Sequence, residues 1–92
     1  MFIVTLTYTA PLTEIDARLT EHNDWLDRHY SAGLFVGSGR RVPREGGVIV
    51  VRDADRDVLD AALAGEPFLR DGVATAQVVE FSPSRGPLAD LA

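Results

Sequence analysis

Leu34-Phe-Val-Gly-Ser-Gly-Arg-Arg-Val-Pro-Arg-Glu-Gly-Gly-Val-Ile-Val-Val51 decides the fold. Two short apolar runs, Leu34–Ser38 and Val48–Val51, flank the glycine- and arginine-rich stretch Gly39–Gly47, the pattern of two strands joined by a long hairpin loop. In the second run Val48 and Val50 point to one side and Ile49 and Val51 to the other, so the sheet is apolar on both faces there.

Upstream, Phe2–Tyr8 alternates Phe2, Val4, Leu6 and Tyr8 with Ile3, Thr5 and Thr7 and reads as a strand. After Pro11, the Thr13/Asp16 pair resembles a capping box and opens a helix expected over Glu14–Ser31, with Gly33 as its left-handed cap. Downstream, Asp53 or Asp55 can cap a second helix that carries Val58, Leu59, Ala62 and Leu63 and stops at Gly65. Glu66-Pro67-Phe68-Leu69-Arg70-Asp71-Gly72 has the acid, proline and glycine order of a one-turn helix, and Ala74–Phe81 is a final strand. The order β-α-β-β-α-β predicts an α+β, ferredoxin-like domain over residues 1–83, a four-stranded antiparallel sheet with two helices on one face. Residues 84–92 are expected to be a mobile C-terminal tail. The uncovered apolar sheet face predicts a homodimer that pairs sheet on sheet.

At 92 residues the chain is one small domain, and its 46% apolar and 25% charged residues suit a folded core. All nine basic residues are arginine against fourteen acids, and the net charge of −5 argues against nucleic acid and anionic membranes as partners. No cysteine is present, which excludes thiol nucleophiles and cysteine-held metals, and two histidines leave few other ligands, so no metal or cofactor is expected. Met1–Leu6 lacks the charged flank and length of a signal or spanning segment, which reads as a cytoplasmic protein.

Advancing roughly 100° per residue from Ile15 puts Leu19 near +40°, His22 near −20°, Leu26 near +20° and His29 near −40°. His22 thus falls within the apolar stripe, either as a core histidine donating to a backbone carbonyl or as a general base. Glu66, at the start of its short helix, is either an ordinary cap or a fixed anion that orients the His22 ring. His29, near the helix end, suits a solvated or capping role, and Trp25 and Tyr30 border the stripe as packing residues. Tyr8 could offer a phenol to a pocket. Arg40, Arg41 and Arg44, with Ser38 and the glycine amides beside them, could hold an anion or be a solvated hairpin tip. The loop is neither a Walker sequence nor a dinucleotide fingerprint.

Arg18-Leu-Thr-Glu-His22, Val36-Gly-Ser-Gly39, Gly46-Gly-Val-Ile-Val50, Glu66-Pro-Phe68 through Gly72-Val73, and Val78-Val-Glu-Phe-Ser-Pro83 together resemble the YciI-like (YCII-related) family. The resemblance spans Phe2 to Pro83 and implies a ferredoxin-like, dimeric α/β barrel. It also implies a pocket in which the helix-one histidine, here His22, pairs with an acid, usually Asp-Pro-Phe or Asp-Pro-Tyr and here Glu66. Arg40 follows Ser38-Gly39 where that family usually has proline. The few activities implicated in the family concern small aromatic or carboxylic metabolites, including dehydrochlorination without metal or organic cofactor.

The first functional expectation is therefore a cofactor-independent lyase- or isomerase-type enzyme. It would eliminate, isomerise or hydrate a small acidic or aromatic metabolite, with His22 and Glu66 catalytic and Ser38, Gly39 and Arg40 binding substrate. The alternative is a non-catalytic small-ligand-binding or accessory module, and a third reading, on fold analogy alone, is a cofactor-free oxygenase.

Overall fold

The computed structural model describes residues 1–91; Ala92, the end of the expected tail 84–92, lies outside the described residues. The elements are β1 (Phe2–Tyr8), α1 (Leu12–Asp16), α2 (Leu19–Ser31), β2 (Phe35–Arg40), β3 (Gly46–Val51), α3 (Arg56–Ala64), α4 (Pro67–Arg70) and β4 (Ala74–Glu80), followed by a 3-10 turn over Pro87–Leu91. The strands form one antiparallel sheet in the order β2-β3-β1-β4, the ferredoxin-like arrangement expected.

Strand alternation builds the core. Phe2, Val4 and Leu6 of β1 share a face with Ile49 and Val51 of β3 and pack under Trp25 of α2 and Leu59 and Leu63 of α3. The opposite face carries Ile3, Val48 and Val50, all half-buried, and Val79, which is exposed. Strand β3 is therefore apolar on both sides, as its sequence indicates, and α2 and α3 cover one of them.

The helix expected over 14–31 is two helices. Arg18 leaves helical geometry, with φ −110° and ψ 4°, and its amide bonds back to Ile15 in a tighter turn. The Arg18 guanidinium takes the Glu14 carbonyl at 2.9 Å, so a side chain satisfies an acceptor that helix continuation would otherwise use. The Thr13/Asp16 capping box does not form. Pro11 is the N-cap of α1, no side chain caps it, and the Asp16 carboxylate is instead bound to Arg44. Asp55 rather than Asp53 starts α3, also without a side-chain cap bond.

The break moves the buried stripe. Ile15 belongs to α1 and no longer sets the phase of α2, where Trp25 is the buried residue and Leu19 is 37% exposed. Counted within α2 at about 100° per residue, His22, Trp25 and His29 form one stripe, and Leu19, Asn23, Leu26 and Tyr30 form the next. His29 is not a solvated cap: it packs between Trp25 and Phe35, at ring-centroid distances of 5.2 and 5.1 Å. Burial, with Arg28 adding to it, lowers His29 below its ordinary value of 6.5.

Strands β2 and β3 extend further into the loop than the apolar runs suggest, so Gly39 and Arg40 pair with Val48 and Gly47. Between Phe35 and Gly37 the register slips by one residue, a bulge at Val36. Phe35 lies opposite Val51 on the helix side; after the bulge Ser38 lies opposite Ile49 and Arg40 opposite Gly47, again on the helix side. Without the extra residue Ser38 and Arg40 would face away from α2.

Candidate functional site

Leu19, Asn23 and Leu26 of the second stripe, with His22 of the first, face a cleft of about 310 Å³ that β2 and β3 close from the other side. Leu6, Leu19, Leu26 and Ile49 make its walls apolar, and His22, Asn23, Tyr8, Ser38, Arg40 and Arg44 bring polar groups to it.

Glu66 is the only fully buried charged residue among those described, and its carboxylate has two partners. Oε2 accepts the Leu69 amide at 2.8 Å, capping α4, and Oε1 lies 2.7 Å from Nδ1 of His22. A carboxylate only accepts, so a neutral His22 ring keeps its proton on Nδ1 and leaves the Nε2 lone pair free. No buried side-chain nitrogen or oxygen lacks a partner among the described residues, so Nε2, which has none, is accessible. His22 lines the cleft, and its ring stacks on Phe68, with centroids 4.4 Å apart and planes 16° apart. The partner of the imidazole is thus an acid on another element and not the backbone carbonyl that a core histidine would use.

Salt bridges tie α2 to α4 around this pair. Arg70 reaches Glu21 at 2.6 Å, and Arg18 reaches Asp71 at 2.9 Å, so residues one and four positions before His22 are anchored to the segment that Glu66 caps. Asp71 sits between Arg70 and Arg18, whose hydrogen bonds hold its carboxyl at about 2, down from an ordinary 3.8.

On the facing strand the Ser38 hydroxyl is 2.6 Å from the Tyr30 hydroxyl, Gly39 offers backbone, and Arg40 has no carboxylate partner among the described residues. Arg41 points elsewhere, to the Thr7 hydroxyl at 3.1 Å, and Arg44 lines the cleft while bound to Asp16. All five residues singled out in the sequence, His22, Glu66, Ser38, Gly39 and Arg40, come together here, Glu66 from behind His22 and the others on the cleft wall. Sequence reasoning did not single out Asn23 or the role of Tyr30. The spacing 19, 23, 26 and 30, counted without α1, would have found both. Among the described residues no three imidazole, thiol or carboxylate groups are grouped as metal ligands.

Such a molecule belongs to the class of small ferredoxin-like α+β proteins with an imidazole–carboxylate pair beside a cleft between helix and sheet. The particular family follows from comparison with known proteins. The model of the YCII-related domain matches residues 1–82, nearly the whole chain, and the protein belongs to that family. No curated protein and no solved structure matches it. No helix among the described residues is long and apolar enough to cross a membrane.

Proposed function

We propose that the protein is a cofactor-independent enzyme in which Nε2 of His22 acts as a general base on a small acidic or aromatic metabolite. Elimination, isomerisation and hydration all fit this role. The observation that carries the reading is the 2.7 Å bond from His22 Nδ1 to the buried Glu66 carboxylate, which leaves the other nitrogen of this cleft-lining ring free to take a proton. Glu66 holds the ring and its tautomer and stabilises the imidazolium that forms as the base takes a proton. Arg40, without a carboxylate of its own among the described residues, would bind a standing or developing negative charge, with Ser38 and the Gly39 backbone beside it. The apolar walls suit a flat or branched carbon skeleton. General acid–base assistance contributes typically about 10²–10⁴-fold, enough for an activated substrate.

A panel of small carboxylic and aromatic metabolites, screened first by thermal shift and then by product analysis, tests the reading. His22→Ala should abolish turnover of any substrate found while the protein stays folded. Ligands that bind without any product in the wild type would favour a binding module. Retained turnover in His22→Ala would remove His22 from the mechanism.

Ile3, Val48, Val50 and Val79 on the uncovered sheet face support a homodimer through that face, and light scattering that gives a monomer would refute it.

A further inference from the structure

A second cleft, of about 470 Å³, lies between the C-terminal half of α2 and α3. The two clefts share a wall. Trp25 lines the second, His22 lines the first, and their rings stack with centroids 5.8 Å apart. The indole N–H of Trp25 is spent on the Ala62 carbonyl at 2.9 Å, so the ring offers the cleft no free donor. His29 continues the aromatic surface, and Ala32, Ala61 and Ala62 are small enough to leave a slot beside it.

The charges at this cleft differ from those on the rest of the surface. Of nine arginines, Arg18, Arg41, Arg44, Arg56 and Arg70 pair with carboxylates. Among the described residues Arg28, Arg40, Arg52 and Arg85 do not. Arg40 lines the first cleft, and Arg28 and Arg52 both line the second. Arg52 is held in place by bonds from Nε to the Gly33 carbonyl at 3.1 Å and from Nη1 to the Leu91 carbonyl at 3.4 Å, which leaves Nη2 over. Arg28 makes no side-chain hydrogen bond among the described residues. The one acid at this rim, Asp53, faces the Met1 ammonium at 3.8 Å. In a chain with fourteen acids, two guanidiniums with no carboxylate partner among the described residues, beside one apolar slot, are suited to an external anion.

We propose that this cleft is a second ligand site, distinct from the His22 cleft, that takes an aromatic monocarboxylate. The ring lies along His29 against the alanines of α3, with Trp25 beneath as the floor of the slot, and the carboxylate meets Arg28 and Arg52.

The test is a titration of the full, ¹⁵N-labelled chain with 2-naphthoate. It is followed at the indole N–H of Trp25, the one tryptophan of the sequence, and at the amides of Val58 and Ala61. Saturable shifts at these three positions are expected, with 2-naphthylmethanol, which lacks the charge, binding at least about tenfold more weakly. Arg28→Gln removes a side chain that bonds nothing else described and should weaken naphthoate by a similar factor. Arg28→Gln with Arg52→Gln should abolish binding, and Arg40→Gln should leave it unchanged. Absence of saturable shifts at Trp25 and Ala61, unaltered affinity in Arg28→Gln, or shifts confined to Ser38–Arg40 would each overturn the second site. The last result would leave the reading of the His22 cleft intact.

Discussion

Glu66→Gln preserves shape and removes the charge, and the two bonds of Glu66 make its outcome specific. The carboxylate accepts from the Leu69 amide at 2.8 Å and from His22 Nδ1 at 2.7 Å. A glutamine has one acceptor oxygen and one donor nitrogen. If its oxygen keeps the Leu69 amide, its NH₂ group faces Nδ1, and the ring must become an acceptor there and move its proton to Nε2. If its oxygen keeps Nδ1–H, the NH₂ group faces the Leu69 N–H, two donors meet, and the cap of α4 is lost. Bonds to a charged group contribute about 1.5–3 kcal/mol against about 0.5–1.5 for neutral ones, so the substitution should cost about 1–3 kcal/mol. For a domain of this size that lowers Tm by roughly 4–24 °C. Glu66→Leu leaves both donors without an acceptor and should cost more, about 2–6 kcal/mol at about 1–3 for each.

Urea unfolding followed by circular dichroism measures the stability, and long-range ¹H–¹⁵N correlation of the imidazole at alkaline pH reports which ring nitrogen carries the proton. We expect Nδ1–H in the wild type and Nε2–H in Glu66→Gln, with the proposed turnover lost because Nε2 no longer carries a free lone pair. An Nε2–H ring in the wild type, or an unchanged tautomer together with an unchanged unfolding midpoint in Glu66→Gln, would refute the reasoning.

Gly46→Ala should cost at least about 3 kcal/mol or prevent folding, since its Cβ would lie 1.7 Å from the Leu6 carbonyl oxygen on the neighbouring strand. Gly37→Ala, whose Cβ meets nothing within 4 Å, should stay within about 1 kcal/mol, and equal effects in urea unfolding would contradict this. Trp25→Phe removes the buried bond to Ala62 and part of the contact with Phe35, and circular dichroism should show a loss of about 1–3 kcal/mol. His29 titrates lower in the folded state than its ordinary 6.5, so the unfolded chain takes up the proton first. The contribution of His29 is intact above pH 6.5 and is lost as pH falls below that through the folded value. His29→Phe should flatten the stability slope on the acid side of 6.5, and a slope as steep as the wild type would show that the ring is solvated.

Strands and short helix were legible because each is encoded locally. Phe2–Tyr8 alternates without interruption, and Glu66-Pro67 with Gly72 at φ +74° marks a one-turn helix by cap, fixed φ and left-handed exit. The candidate site was legible as residues but not as geometry. Two events in the backbone, each a matter of one or two residues, placed those residues. The break at Ala17–Arg18 depends on a guanidinium reaching a carbonyl, which no periodicity records, and it rotated the stripe so that Trp25 became core and Leu19 turned to the cleft. The bulge at Val36 reverses the facing of every later residue of β2. Gly37-Ser38-Gly39 tolerates such a slip but does not announce it, because a period-two reading of so short a strand fits either register.

The spacing between α2 and α4 suits a glutamate at position 66. Shorter side chains are preferred as caps because they reach the first-turn amides directly, so capping α4 alone would not need the extra methylene. In this chain one oxygen caps α4 and the other extends to α2, which Arg70–Glu21 and Arg18–Asp71 tie to α4. Because Glu66 is fully buried and held at one oxygen, it fixes the orientation of the His22 ring within the folded chain. Glu66→Asp withdraws the carboxylate by roughly 1.5 Å, one carbon–carbon bond. With the ion pairs intact, the aspartate should keep the Leu69 cap and lose Nδ1. Stability would fall by less than in Glu66→Leu, yet the Nδ1–H tautomer and turnover would go. A double variant, Glu66→Asp with Arg70→Ala, frees α4 to approach α2 and should recover part of the Nδ1–H signal. If Glu66→Asp alone retains that tautomer, the ion pairs do not set the spacing, and the extra methylene has no part in orienting His22.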